Sequence, residues 1–162
     1  MYKRQKPRGL FAYAGQTLAV GGALTLDHLI EAEGLALEAN VNPAGLVWLM
    51  KPREFTRLRK VKDGNERYQL QPDPTRAGGF TLFGHRVVVT PRVPDTQAAT
   101  PTARVGLVDF SQIVVARDVA PSVKILDQTF GDFDQQAIRV VARYDAAPVN
   151  DAAVIALTGI TV

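Results

Sequence analysis

Residues 46–90 read LVWLMKPREFTRLRKVKDGNERYQLQPDPTRAGGFTLFGHRVVVT, and their order of elements decides the class of the chain. The apolar run Leu46-Val47-Trp48-Leu49-Met50 is a strand that breaks at Lys51-Pro52. Pro52 suits the first helical position, where the missing N–H has no partner in any case. A short helix follows to about Val61, with Phe55, Leu58 and Val61 inward and Arg53, Arg57 and Lys60 on the outer face. Asp63-Gly64 marks a tight turn, Asp-Gly being among the strongest short hairpin signals. Gly84-His85 joins the β-rich runs Phe80–Phe83 and Arg86–Thr90. The stretch thus reads as strand, turn, helix, hairpin and strand.

Upstream, the pattern predicts a helix from Leu26 to about Asn40, with Thr25 as N-cap and Asp27 in the first turn, where a negative charge suits the helix dipole. At 100° per residue, Leu26, Leu29, Ile30 and Leu37 share one apolar stripe. Asp27, Glu31 and Glu38 gather well round the barrel as an acidic strip. The two helices are thus opposite in charge. Two solvated faces are the plain reading; the sharper one is that the acidic helix meets the basic helix of a neighbouring subunit. Asp27, Glu31, Glu38, Arg53, Arg57 and Lys60 are therefore the candidate interface residues, and reversing Arg53 and Arg57 to Glu is expected to impair assembly while leaving the domain folded.

Downstream, strands are expected at Val105–Asp109, Ile113–Arg117 and Val123–Leu126, with Ser111-Gln112 as a short turn and Pro121, which lacks an N–H, in a loop. From Gln135 to Ala147, Ile138, Val140, Ala142 and Tyr144 alternate with Arg139, Val141, Arg143 and Asp145, a period of two that predicts one half-buried strand. Ala152–Thr158 returns as a more apolar strand. With strands dominant and two or three helices inserted, the class is α+β.

Composition narrows the function. At 162 residues, 46% hydrophobic and 22% charged, the chain suits one globular domain. It has no cysteine, hence no disulfide framework or thiolate metal site, and no apolar stretch near the ~20 residues of a membrane helix. Nothing in it reads as a signal peptide. The net charge is +3, and because residues 1–8 and 51–67 each carry +4, the remainder carries −5. The first eight residues, without periodicity or cap, are expected to be a disordered or non-native lead. The basic stretch 51–67 raises nucleic acid as a partner, but its Phe55 points with the core face, whereas single-strand binding needs aromatics on the basic surface.

Catalytic material is sparse. His28 and His85 sit in no metal-spacing motif, His28 with Glu31 lacks the further ligands of a di-metal bundle, and Ser111 and Ser122 lack a nucleophile elbow. Asp127, Asp132 and Asp134 around Gly131 form the best oxygen cluster for a hard cation, yet the spacing departs from a calcium loop and no bidentate Glu follows. A polar turn is the stronger reading, and no enzyme activity, metal or cofactor is expected. A small hydrolase and a nucleic-acid-binding domain remain the alternatives from other classes.

Five pieces, in order, carry a resemblance: Trp48-Leu49-Met50-Lys51-Pro52; Lys62-Asp63-Gly64 with Tyr68; Gly79-Phe80-Thr81-Leu82-Phe83-Gly84 with Val87-Val88-Val89; Gly106-Leu107-Val108-Asp109-Phe110-Ser111-Gln112; and Phe133-Asp134-Gln135-Gln136-Ala137-Ile138-Arg139. Together they resemble the major capsid protein of tailed phages, with the Hong Kong 97-like fold. The resemblance implies a C-terminal part of a larger subunit, entered at about Gly9 after an N-terminal arm, extended loop and spine helix. Residues 9–20 would leave the peripheral domain, 21–134 would form the axial domain, and 135–162 would return as peripheral strands. It implies copies of the chain as partners, in pentamers and hexamers of an icosahedral shell around DNA bound at most non-specifically. Scaffold, protease and portal proteins would be met during assembly in the host cytoplasm, and the virion would be the final location. An encapsulin-like nanocompartment shell is the alternative with the same fold. The loop lysine to asparagine crosslink of some such capsids is not carried over, because Asp134-Gln135 stands in the corresponding region.

Overall fold

A computed structural model describes residues 8–70, 79–96, 101–117, 120–130 and 135–161, without the side chains of 127–130 and 135. Its centre is a six-stranded sheet of β1 (Gln16–Ala19), β2 (Leu46–Met50), β3 (Phe80–Leu82), β4 (His85–Val89), β5 (Thr102–Asp109) and β10 (Val154–Thr161), in the order β1-β10-β5-β2-β4-β3. Two further strand pairs stand apart from it: β6 (Ile113–Arg117) with β9 (Tyr144–Pro148), and β7 (Ser122–Phe130) with β8 (Gln135–Val141). Helices α1 (Leu26–Glu38) and α2 (Pro52–Arg59) complete the α+β arrangement expected from the sequence.

Both helices cover one face of the sheet. Period two sends Leu46, Trp48 and Met50 of β2 to that face, and the registers Trp48↔Leu107 and Leu107↔Ile155 put β5 and β10 side chains beside them. Leu29, Ala32 and Ala36 of α1 and Phe55 and Leu58 of α2 join these residues in one core cluster. Trp48 is wholly buried at its centre.

The α1 stripe differs from the expected one. Leu29 is buried, but its companions are Ala32 and Ala36, while Ile30 and Leu37 are 53% and 52% exposed. Helical periodicity was right, but the small alanines were weighted too little against leucine. They let the helix lie close on the sheet, and the apolar band rotates accordingly. The helix also stops at Glu38, with Asn40 left-handed (φ 55°) just beyond, a conformation that suits Asn at a helix end. Helix α2 ends at Arg59, so Val61 lies outside it, half-buried.

Of the two glycine-marked turns, one keeps its glycine in the left-handed conformation and the other does not. The β3–β4 turn is Phe83-Gly84, both with positive φ, and β4 starts at His85. At Asp63–Arg67 the left-handed residue is Glu66 rather than Gly64, and Asp63 Oδ1 accepts from the backbone N–H of Asn65 and Arg67.

Two expectations about the C-terminal part are corrected. The single strand from Gln135 to Ala147 is two strands, broken at Ala142-Arg143, where the partner changes from β7 to β6. The opposite side of the ribbon is interrupted at Pro121, which has no N–H to offer. Nor is that stretch half-buried: Ile138 and Val140 are exposed. The six-stranded sheet takes β1 from residues 9–20, β2–β5 from residues 21–134 and β10 from residues 135–162. Antiparallel β5 and β10 are neighbours, and the ribbon β6–β9 is an excursion between them. β1, which had no sequence signal, pairs parallel with β10.

The chain enters β1 against the base of β10, where Gly15 N–H donates to Asp151 O at 3.0 Å. A Cβ on Gly15 would stand 2.6 Å from the Asp151 carbonyl carbon, backbone that cannot step aside. Gly15→Ala should lower unfolding free energy in urea by roughly 1–3 kcal/mol. Gly22→Ala, with no atom within 4 Å of the new methyl, should change it by no more than about 0.5 kcal/mol.

Candidate functional site

The candidate residues on α1 are held outward by a well-set helix start. His28 Nδ1 accepts from Thr25 N–H at 3.2 Å and from the Thr25 hydroxyl at 2.7 Å, so this histidine serves the cap and is half-buried. Asp27, Glu31 and Glu38 are all exposed, and their carboxylates have no partner among the described residues. Exposed Ile30 and Leu37 run beside them on the same outer face. Glu33, further round, reaches His85 Nε2 at 3.3 Å and ties α1 to β4.

The basic helix is organised differently from its sequence reading. Glu54, which carried no expectation, is fully buried. Its Oε1 accepts from Arg53 Nε at 2.9 Å, and its Oε2 lies 3.6 Å from Arg57 Nη1. Arg57 also donates to Thr161 O at 2.6 Å, clamping α2 to the end of β10. Two of the three basic candidates are therefore engaged within the chain, while Lys60 is exposed with no partner among the described residues. A buried carboxylate between two arginines has no hydropathy signature. Only its i and i+3 spacing from Arg57 pointed to it.

Of the nearby aromatics, Phe55 is buried while Phe80 and Tyr68 are exposed. Phe55 and Phe80 stack at 4.7 Å, with the Arg59 guanidinium 5.8 Å from each ring, and Lys62 lies 5.4 Å from the Tyr68 ring.

The face of the sheet opposite the helices carries a cavity of about 400 Å³. One wall is the short 3₁₀ turn Leu10–Ala12, the other the loop Thr90–Pro94, and the floor is Leu49 of β2 and Arg104 of β5. Phe11 can lie against the sheet because Gly106 has no side chain there. The loop is pinned where it ends. Lys51 Nζ meets Asp95 at 2.6 Å, and Thr96 and Thr102 share a 2.6 Å hydroxyl hydrogen bond backed by Thr102 N–H to Thr96 Oγ1 at 2.8 Å. The lining is apolar apart from Thr90 and the guanidinium groups of Arg92 and Arg104. Arg104 Nε is shielded from solvent without a hydrogen-bond partner. No His, Asp or Glu lines it to act as general base.

On the ribbon, the registers Val123↔Val140 and Ile125↔Ile138 place four β-branched side chains on one face. All four are more than half exposed. The aspartates Asp132 and Asp134 and the Asp127 side chain lie outside the described residues, as does most of the 1–8 lead. Among the described residues, no group of three or more His, Cys, Asp or Glu gathers as a metal site.

The sequence matches the model of the phage capsid family over residues 3–159. The chain belongs to the phage capsid family. No curated protein matches the sequence. Among solved structures, the capsid of a native GTA particle superposes with a TM-score of 0.74 at 18% identity, over 96% of this chain and 56% of that one. The Mycobacterium phage Che8 structure gives 0.67 at 20% identity, over 91% and 54%. The encapsulin complex of Synechococcus elongatus PCC 7942 is more distant, at 0.57 and 21% identity over 94% and 56%. These show the Hong Kong 97-like capsid fold expected from the sequence. The chain spans little more than half the length of these capsid chains.

In this capsid-family chain the arginines of α2 have a structural duty. Arg53→Glu with Arg57→Glu would surround a buried carboxylate with like charge, and should cost roughly 3 kcal/mol in denaturant unfolding. Lys60→Glu should stay within about 0.5 kcal/mol of the parent. The double reversal thus tests stability as well as assembly, and Lys60→Glu is the cleaner probe of the basic rim.

Proposed function

We propose that the chain is a shell-forming subunit of a phage capsid, working by association with copies of itself into pentamers and hexamers. The observation that carries the reading is the family match along nearly the whole chain. Exposed apolar surface supports it: the four β-branched residues of the ribbon and the Ile30-Leu37 ridge are surfaces that a lone domain would hide. The phage and GTA capsids superpose better than the encapsulin, which favours a virion over a nanocompartment.

In this reading the six-stranded sheet with α1 and α2 is the axial domain, and the ribbon of residues 113–148 reaches into the peripheral domain. The supporting feature is topological: the ribbon leaves from β5 and returns to its neighbour β10. Asp27, Glu31 and Glu38 form the acidic rim of the subunit, and Lys60, with Arg53 and Arg57 behind it, the basic rim. Such charges set register and encounter rate more than affinity. Scaffold, protease and portal proteins are the further partners of assembly in the host cytoplasm, and packaged DNA meets the inner surface without sequence preference. The subunit needs no catalytic group or cofactor for this work.

Sedimentation velocity and negative-stain microscopy of the purified chain over a wide concentration range test the proposal. Concentration-dependent rings of five or six copies are expected. A chain that stays monomeric throughout, or one that binds single-stranded nucleic acid with a steep salt dependence instead, overturns it.

A further inference from the structure

Two sets of uncompensated charge lie on opposite sides of the molecule. On the helix side, Asp27, Glu31 and Glu38 have no partner among the described residues, and they border the exposed ridge of Ile30 and Leu37. On the other side, Arg92 and Arg104 have none either, and they border an apolar cavity of about 400 Å³ walled by Leu10, Phe11, Val93 and Pro94. Each surface holds what the other lacks. One is a convex apolar ridge with carboxylates, the other an apolar hollow with guanidiniums.

We infer that the outer face of α1 in one copy of the chain seats on the cavity face of the next copy, its carboxylates meeting Arg92 and Arg104. The inference rests on the self-association reading and deepens it by naming the two surfaces. Ile30 and Leu37 are two helical turns apart, about 10.5 Å along the axis, so one of them enters the hollow while the other packs on its rim. Arg104 supplies the specificity. Arg104 is half-buried in the lining of the cavity with no partner among the described residues, and a carboxylate is the partner that its planar guanidinium fits best.

The surfaces differ, so the contact is heterologous. Copies joined this way follow one another round an axis, as in a ring of five or six. The acidic strip is thereby directed to the back of the neighbouring sheet rather than to the basic helix α2, whose Arg53 and Arg57 are held by Glu54 and, for Arg57, also by Thr161.

A charge-swap series read by sedimentation velocity tests this. Glu31→Lys with Glu38→Lys should weaken association roughly tenfold or more, and so should Arg92→Glu with Arg104→Glu. Carrying all four substitutions in one chain should restore association, as should mixing the two double variants. Rescue separates a lost contact from a misfolded chain, because a misfolded back face cannot be repaired by lysines on α1. If the wild type associates and neither double variant changes it, or both weaken it without rescue, this inference fails while self-association stands. If Lys60→Glu alone reproduces the loss and the Arg92/Arg104 pair does not, the basic rim of α2 is the receiving surface and the inference is overturned. A wild type that never associates overturns both readings.

Discussion

The pairing of β10 with β5 is the interaction on which the rest depends. Ile155↔Leu107 and Leu157↔Val105 bring together side chains that are fully buried, and they bridge the floor of the core beneath both helices. β10 also carries β1 on its other edge, so the first strand of the sheet has no place until nearly the last residues have arrived. Contacts between residues this far apart in sequence close large loops before they yield any burial, and that slows folding. The base of the ribbon is fixed accordingly. Asp109 Oδ1 accepts from Ser111 N–H at 2.9 Å as the chain leaves β5, Asn150 Oδ1 accepts from Ala152 N–H at 3.1 Å as it re-enters β10, and Val149 N–H donates to Gln112 O at 2.8 Å between them. A long excursion is tolerable because its two feet are hydrogen-bonded to each other.

Electrostatics inside the domain serve packing. Burying Glu54 is unfavourable unless its charge is met, and two arginines meet it from the rim of the same helix. Because Arg57 also reaches Thr161, the ion pair couples α2 to the strand that completes the sheet. The charges left over on α1 and on the cavity face have no such role within the subunit. That contrast separates residues that hold the fold from residues available to a neighbour.

What was legible in the sequence followed from periodicity and from backbone chemistry. β2, β4 and β6 and most of α2 and β5 stand where runs of apolar residues, Pro52 and the Ser111-Gln112 turn placed them, and the order of these pieces carried the resemblance to the family. What was missed depended on tertiary context. The rotation of α1 came from alanines whose worth lies in letting a helix approach, which no hydropathy scale records. β1 is stabilised by β10 rather than by its own four residues. The split between β8 and β9 lies across from the break between β6 and β7 that contains Pro121, so it could not be read from residues 135–147 alone. Glu54 drew no expectation, because burial of a carboxylate is decided by its partners. The cavity joins Leu10, Phe11, Leu49, Arg92 and Arg104, five residues with no shared motif.

The sign and placement of the unpaired charges also bear on symmetry. A two-fold axis through the outer face of α1 would bring Glu31 and Glu38 close to their own images, and a two-fold through the cavity face would do the same to Arg92 and Arg104. Like charges facing each other cost several kcal/mol, which disfavours both isologous arrangements. Joining α1 to the cavity face removes both repulsions at once, and it consumes one of each surface per subunit, leaving none over when the ring closes. In the proposed contact the ribbon, which leaves from the end of β5 away from Arg104, would take no part, and its face of Val123, Ile125, Ile138 and Val140 would be left for a different contact. With the proposed pair of complementary faces and a separate apolar arm, a subunit would have what a closed shell requires: contacts that make a ring, and others that join the ring to what surrounds it.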